Sequence, residues 1–433
     1  MELCYWLVGN LHGTTTAPEV YMSLQAKALS HIGLVPFKMD SAVSSTANAT
    51  AGAIVERYQP QPPPTLIAFS HMDDIVVMAA DWADVEWVGE MLSMFFRIVG
   101  PERLTCFRGL YVARSSSMLL LHGIPWIMDR LREYGLLNPD GTVNHSLTVK
   151  NPWMGEAFDS ASPLLTGDRK SKAQNIKGTS SYMCYKFRPD CQPANLATCR
   201  HMANPTEQTL LWAERIWRYV AGTVRWVICV KKLKQSDIHV MMVAVKLRTL
   251  EPGSEVELWE AAHAQVFQDS GWTVPRSITG LAVYVFGVLV LSKGVLQTNV
   301  ADSSTVAEIA SLKTGVKEGV WTRIAAMEYL GMSEFANSDL LPIPIFGDNM
   351  GALKFGRERC VSSKLKHVPL SFYVCHEKSK SKEVSFHQIL SRDNDADYWT
   401  KPHTTAEVDR HRSKWMYFWA AAPIGAASSP TSA

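Results

Sequence analysis

The stretch VFQDSGW, Val266–Trp272, ends a short apolar run on an acid, Asp269, and the pattern that follows it decides the fold. LAVYVFGVLVL, Leu281–Leu291, is rich in Val and reads as a second strand, and QTNVA, Gln297–Ala301, reads as a third. Three strands in succession predict an antiparallel meander. Ser303–Glu308 then opens a helix running to about Leu330. PIPIFGDN, Pro342–Asn349, supplies a strand that stops at Asp348, and EVSFHQIL, Glu383–Leu390, supplies another. DNDADYWTK, Asp393–Lys401, starts a short polar helix carrying Asp397. From about Glu255 to Pro402 the order is strands, helix, strand, helices, strand, helix, which is α/β.

Each acid also has a plain structural reading. Thr305 and Glu308 stand at capping-box spacing. Asp348 suits an N-cap, and Asp397 suits a helix start where the dipole favours a negative charge. Yet all four acids fall at strand ends or at the starts of helices packed on one sheet, so the fold can bring them together. Carboxylates a few ångströms apart repel, and bound cations relieve that repulsion. Hard oxygen donors without Cys or His favour Mg²⁺ or Mn²⁺, and two such ions can hydrolyse a phosphodiester without a protein nucleophile.

The 433 residues exceed one ordinary core, and 47% hydrophobic with 19% charged residues describes a globular multidomain chain. A formal net charge of +2 provides no overall basic field, so nucleic acid would be held by local clusters such as Lys364, Lys366, Lys378, Lys380 and Lys382. Such a cluster equally suits a solvated helix face. Eight cysteines without a CxxC pair read as free intracellular thiols. No apolar run reaches the roughly 20 residues of a membrane helix, and MELCYWLVGNLHG lacks the form of a signal peptide. Cytoplasm or nucleus is expected.

Upstream, residues 36–65 are rich in Ser, Ala, Thr and Pro and read as a loop or insertion. LIAFS and IVVMA flank His71–Asp74, predicting a hairpin with Asp73 and Asp74 at its tip. Apolar spacing predicts helices over Trp82–Val99 and Pro125–Tyr134, with mostly loop from Gly135 to Lys177. Asn204-Pro205-Thr206-Glu207 reads as an N-cap, a Pro at the first position and a Glu at the third, ahead of a helix ending at Gly222. After Thr404 come an aromatic stretch and small residues whose end is expected to be disordered.

In order and spacing the chain resembles the Pol polyprotein of copia-type LTR retrotransposons. ADSSTVAEIASL, Ala301–Leu312, is similar to the family's ALSSTEAEYMAL, and FGDNMGAL, Phe346–Leu353, to its CDNQSAI. SKLKHVPLSFYVCHEK, Ser363–Lys378, resembles TKHIDIRYHFIRE, ADYWTKP resembles ADIxTKP, and QDSGW stands where SDADW is expected. Upstream, LHGTTTAPEVY resembles LYGLKQAPRAW, FSHMDD resembles LVYVDD, CFRGLYVAR resembles FLGIEI, and RLREYGL resembles ERFGM. FRPD and MANPTEQTLLWAERIWRYVAGT resemble TRPD and SNPTEEHWKALKRVLRYLKGT.

The resemblance implies a truncated reverse-transcriptase palm over 1–110, a thumb-like segment and loop over 111–165, and a connection region over 166–254. A ribonuclease H-like mixed five-stranded sheet with flanking helices follows over 255–403, and a tail over 404–433. It implies that Asp269, Glu308, Asp348 and Asp397 bind two Mg²⁺ or Mn²⁺ ions and cut the RNA strand of an RNA–DNA hybrid. It places Asp73 and Asp74 among the palm carboxylates, with the third absent from this chain, so polymerisation is not expected. Gly271 replaces the second Asp of SDADW, Val306 the first Glu of STEAEY, and His71 the Tyr of YVDD. A catalytically dead relic or domesticated binding module, or a fragment of a longer polyprotein, is the alternative to an active nuclease.

Overall fold

The computed structural model describes residues 17–36, 43–45, 66–71, 74–79, 81–115, 117–231, 264–273, 276–329, 342–358 and 368–422. These residues form a mixed α/β protein with three sheets, divided into two compact units. Among them, no helix is long and apolar enough to cross a membrane.

The first unit covers residues 1–104 and 321–340. Helix α1, Ala17–His31, precedes strands β1, Val35–Pro36, β2, Val43–Ser45, β3, Leu66–His71, and β4, Asp74–Ala79, which pair antiparallel in that order. Helix α2, Trp82–Ser93, follows and stops short of Val99. Leu29 of α1, Ile32 just after it, Leu66 and Ala68 of β3, and Val88 and Leu92 of α2 form its core. The expected hairpin is present, and its ladder runs out to His71↔Asp74, leaving a two-residue turn. Asp73 and the side chain of Asp74 lie outside the described residues.

The second unit covers 105–320 and 341–433. It begins with strands β5, Cys106–Phe107, β6, Leu110–Arg114, and β7, Met118–His122. Helices α3, Ile124–Glu133, α4, Gly167–Lys186, α5, Gln192–Cys199, and α6, Glu207–Gly222, lead to β8, Trp226–Lys231. Then come β9, Ala264–Gly271, β10, Ile278–Val285, β11, Val288–Leu296, and the long helix α7, Ser304–Tyr329, whose residues from Trp321 on count with the first unit. Strand β12, Ile343–Gly347, helices α8, Met350–Arg357, and α9, Val374–Lys380, strand β13, Val384–Gln388, helix α10, Thr405–Trp415, and strand β14, Met416–Phe418, complete it.

Two five-stranded sheets result. One is antiparallel, in the order β14-β8-β7-β6-β5. The other is mixed, β11-β10-β9-β12-β13, with the meander β9 to β11 antiparallel and β12 parallel to both β9 and β13.

Five readings of the sequence are corrected. The run Leu281–Leu291 is two strands, because Phe286 and Gly287 adopt φ of 48° and 76° and turn the chain back in a two-residue hairpin. Gln297–Ala301 is therefore not a strand. Helix α4 lies where mostly loop was expected. Its buried stripe of Ala173, Ile176, Ser180, Met183 and Cys184 is half small residues and carries too weak an apolar signal to read. The cap of α6 is Thr206 rather than Asn204, in a capping box with Thr209. Beyond Thr404, α10 and β14 are part of the core, with Val408, Trp415 and Met416 buried; residues 423–433 lie outside the described residues.

A 3₁₀ turn, Asp395–Trp399, lies flat across the mixed sheet. Gly280 and Gly294 face each other in the β10–β11 register beneath it. A Cβ on Gly280 would stand 2.5 Å from the Ala396 carbonyl oxygen and 2.5 Å from Thr400 Cγ2. Gly280→Ala is therefore expected to cost about 1–3 kcal/mol, read from the urea midpoint, and an unchanged midpoint would show that the turn yields freely.

Candidate metal centre

Asp269 sits near the end of β9, and β12 lies beside it in parallel with Phe346 level with Phe267. Those two rings stack at 4.8 Å. Strand side chains alternate faces, so the residues two places further on, Asp269 and Asp348, emerge level with each other on the same side. Glu308 reaches them from the first turns of α7. One carboxylate oxygen from each of Asp269, Glu308 and Asp348 lies within 4.8 Å of the others.

The plain capping readings do not describe these acids. The Ser303 hydroxyl accepts from Val306 N–H at the start of α7, and Asn349, not Asp348, caps α8 by accepting from Ala352 N–H. Glu308 instead reaches across to β9, where Oε1 accepts from Ser270 N–H at 3.3 Å. Its Oε2 is buried and has no hydrogen-bond partner.

Asp397, in the 3₁₀ turn, stands outside this trio. Its carboxylate pairs with Lys401 Nζ at 2.5 Å. The segment carrying it is fastened at several points. Thr400 Oγ1 donates to Asp269 Oδ2 at 2.5 Å, Asn394 Nδ2 donates to Gln268 O, and Tyr284 OH donates to Asp395 Oδ2. Tyr398 OH donates to the backbone oxygen of Asp190 at 2.6 Å. Thr400 and Lys401 were given no role in the sequence reading. The available signal was a hydroxyl and a cation directly after an acid in DYWTK. At Gly271, a Cβ would stand 2.6 Å from the Thr400 carbonyl oxygen, so this fold has no room for the Asp of the family pattern there.

Burial, and secondarily the charges of Asp397 and Asp348, raise the Asp269 carboxyl to about 6, against the opposing Thr400 hydrogen bond. Burial, followed by the charges of Asp269 and Asp348, raises Glu308 from 4.5 to about 9. Without a cation the cluster therefore keeps a proton on Glu308 at neutral pH. The all-oxygen donor set, the mutual repulsion and the unpartnered Glu308 oxygen together fit a hard divalent cation.

A pH dependence follows. Glu308 and Asp269 bind protons more tightly folded than unfolded, so their contribution is fully present below their ordinary values and is lost as pH rises toward 9. Without divalent ions, the melting temperature is expected to fall between about pH 5 and 9, and Mn²⁺ is expected to flatten that fall. A profile identical with and without Mn²⁺ would remove the cation from this site.

Of the basic cluster, Lys378 is engaged by Glu383, with Nζ 2.8 Å from both carboxylate oxygens, while Lys364 and Lys366 lie outside the described residues.

No protein-family model matches the chain. The chain is 23% identical over 348 residues, 79% of its length, to the retrovirus-related Pol polyprotein from transposon RE1 of Arabidopsis thaliana. It is 22% identical over 336 residues, 77% of its length, to that from transposon RE2 of the same plant. It spans about a fifth of the length of these relatives, 21% and 20%. Over more than three quarters of its residues, the chain is thus similar to retrovirus-related Pol polyproteins of transposons.

Proposed function

We propose that the part of the chain built on the mixed sheet is a metal-dependent nuclease of the ribonuclease H type, which hydrolyses the RNA strand of RNA–DNA hybrids. The observation that carries this reading is the convergence of Asp269, Glu308 and Asp348 within 4.8 Å, with one buried Glu308 oxygen left unpartnered. The mixed five-stranded sheet, its flanking helices and the kinship with Pol polyproteins support it.

In this reading the trio holds Mg²⁺ or Mn²⁺ and Asp397 completes the set. Divalent ions at such a centre supply Lewis acidity toward the phosphodiester and its attacking water. The chain's own groups set the stage. The Thr400 hydroxyl fixes the rotamer of Asp269, and Ser270 N–H fixes one oxygen of Glu308. Both acids are buried, and a bound cation would favour the ionised form of Glu308, whose proton is otherwise held by burial. The β3–β4 hairpin bearing Asp73 and Asp74 is read as a polymerase palm hairpin.

The test is cleavage of an end-labelled RNA–DNA hybrid by the purified chain in Mg²⁺ and in Mn²⁺. Cutting confined to the RNA strand is the expected result. An uncut hybrid at cation concentrations that raise the melting temperature would favour a binding module that keeps the fold without the chemistry.

A further inference from the structure

The trio and Asp397 do not have equal access to a cation, because Asp397 already has one. Its side chain is 13% exposed and is paired to Lys401, four residues on. The chain between them leaves that lysine little choice. The Asp397 carbonyl accepts from Thr400 N–H at 3.2 Å and from Thr400 Oγ1 at 3.1 Å, and His403 Nε2 lies 3.3 Å from it. Thr400 is itself bound to Asp269. The turn thus folds Lys401 back over Asp397.

We propose that Lys401 is a resident counter-cation of the acidic centre. One divalent ion binds tightly at Asp269, Glu308 and Asp348, and a second binds at Asp397 only by displacing Lys401. This rests on the metal-centre reading above and adds an order of binding to it. The charges favour it: one divalent ion and one ammonium leave four carboxylates with a single net negative charge, whereas two divalent ions with the ammonium still in place would overshoot neutrality. Displacement is feasible because Lys401 is 51% exposed and can swing into water, and half-exposed pairs of this kind are weak.

Mn²⁺ binding to the full chain, followed by calorimetry and by paramagnetic resonance without nucleic acid at neutral pH, tests this. The parent is expected to show one tight site and a second, much weaker one. Lys401→Met is expected to tighten the second site at least about tenfold and leave the first nearly unchanged, since a positive charge a few ångströms away is removed. Lys401→Arg keeps the charge and is expected to retain the weak second site. Asp397→Asn is expected to abolish the second site and spare the first.

Equal affinities for two ions in the parent, or a second site unmoved in Lys401→Met, would overturn the inference while leaving the nuclease reading intact. A parent that binds no Mn²⁺ would overturn both.

Discussion

Asp348→Asn is expected to lower hybrid cleavage by well over a hundredfold without unfolding the protein. Outer-shell partners of metal ligands typically cost about 10–100-fold when removed, and Asp348 is placed in the ligand set itself. Two structural facts make the variant clean. Asn349 caps the following helix, so the substitution does not remove a cap worth about 1 kcal/mol. Asp348 is also one of the charges that raise Asp269 and Glu308, so neutralising it relieves repulsion in the metal-free protein. The metal-free melting temperature should hold or rise while cleavage disappears. Cleavage at the parent rate would remove Asp348 from the centre.

The largest effect on stability is expected outside the metal centre, at Asp190→Ala. Arg188 and Asp190 are 1% and 0% exposed, and the guanidinium holds the carboxylate with two bonds, Nε to Oδ1 at 2.9 Å and Nη2 to Oδ2 at 2.7 Å. Tyr219 OH donates to the same carboxylate, and Arg412 from α10 donates to Tyr219. Burial opposes ionisation of Asp190, but Arg188, aided by Arg412 and the Tyr219 hydroxyl, holds its carboxyl below the ordinary value. Truncation would leave a buried guanidinium without its anion, a change that costs about 3–5 kcal/mol in comparable cases. Urea unfolding measures it, and a loss below about 1 kcal/mol would mean that water reaches Arg188.

What the sequence revealed depended on how each element earns its place. The hairpin at His71–Asp74 and the acids at the ends of β9 and β12 stood out because short apolar runs stop abruptly there. Helix α4 was hidden because small side chains supply half its buried face, and Ser180 binds Trp217 Nε1 by hydrogen bond rather than by bulk. The turn at Phe286–Gly287 was hidden inside an unbroken apolar run, since a positive φ at a Phe leaves no compositional trace. Thr400 and Lys401 escaped because their roles depend on the turn before them lying flat on glycine, a tertiary fact. Capping-box spacing at Thr305 and Glu308 was a coincidence of local pattern that Ser303 resolved.

Strand β14 has a consequence for how the protein is made. It pairs with β8, and beside that pairing Arg225 Nη1 donates to Ala420 O across 195 residues. On a ribosome adding about 5–20 residues per second, on the order of 10–40 s separate the emergence of the two partners. Through that interval β8 presents a bare edge to solvent, with the apolar faces that Trp415 and Met416 will cover still open. Nascent chains of this protein should therefore be strong clients of chaperones that bind during translation, and premature termination before Met416 should yield aggregated rather than shortened but folded protein.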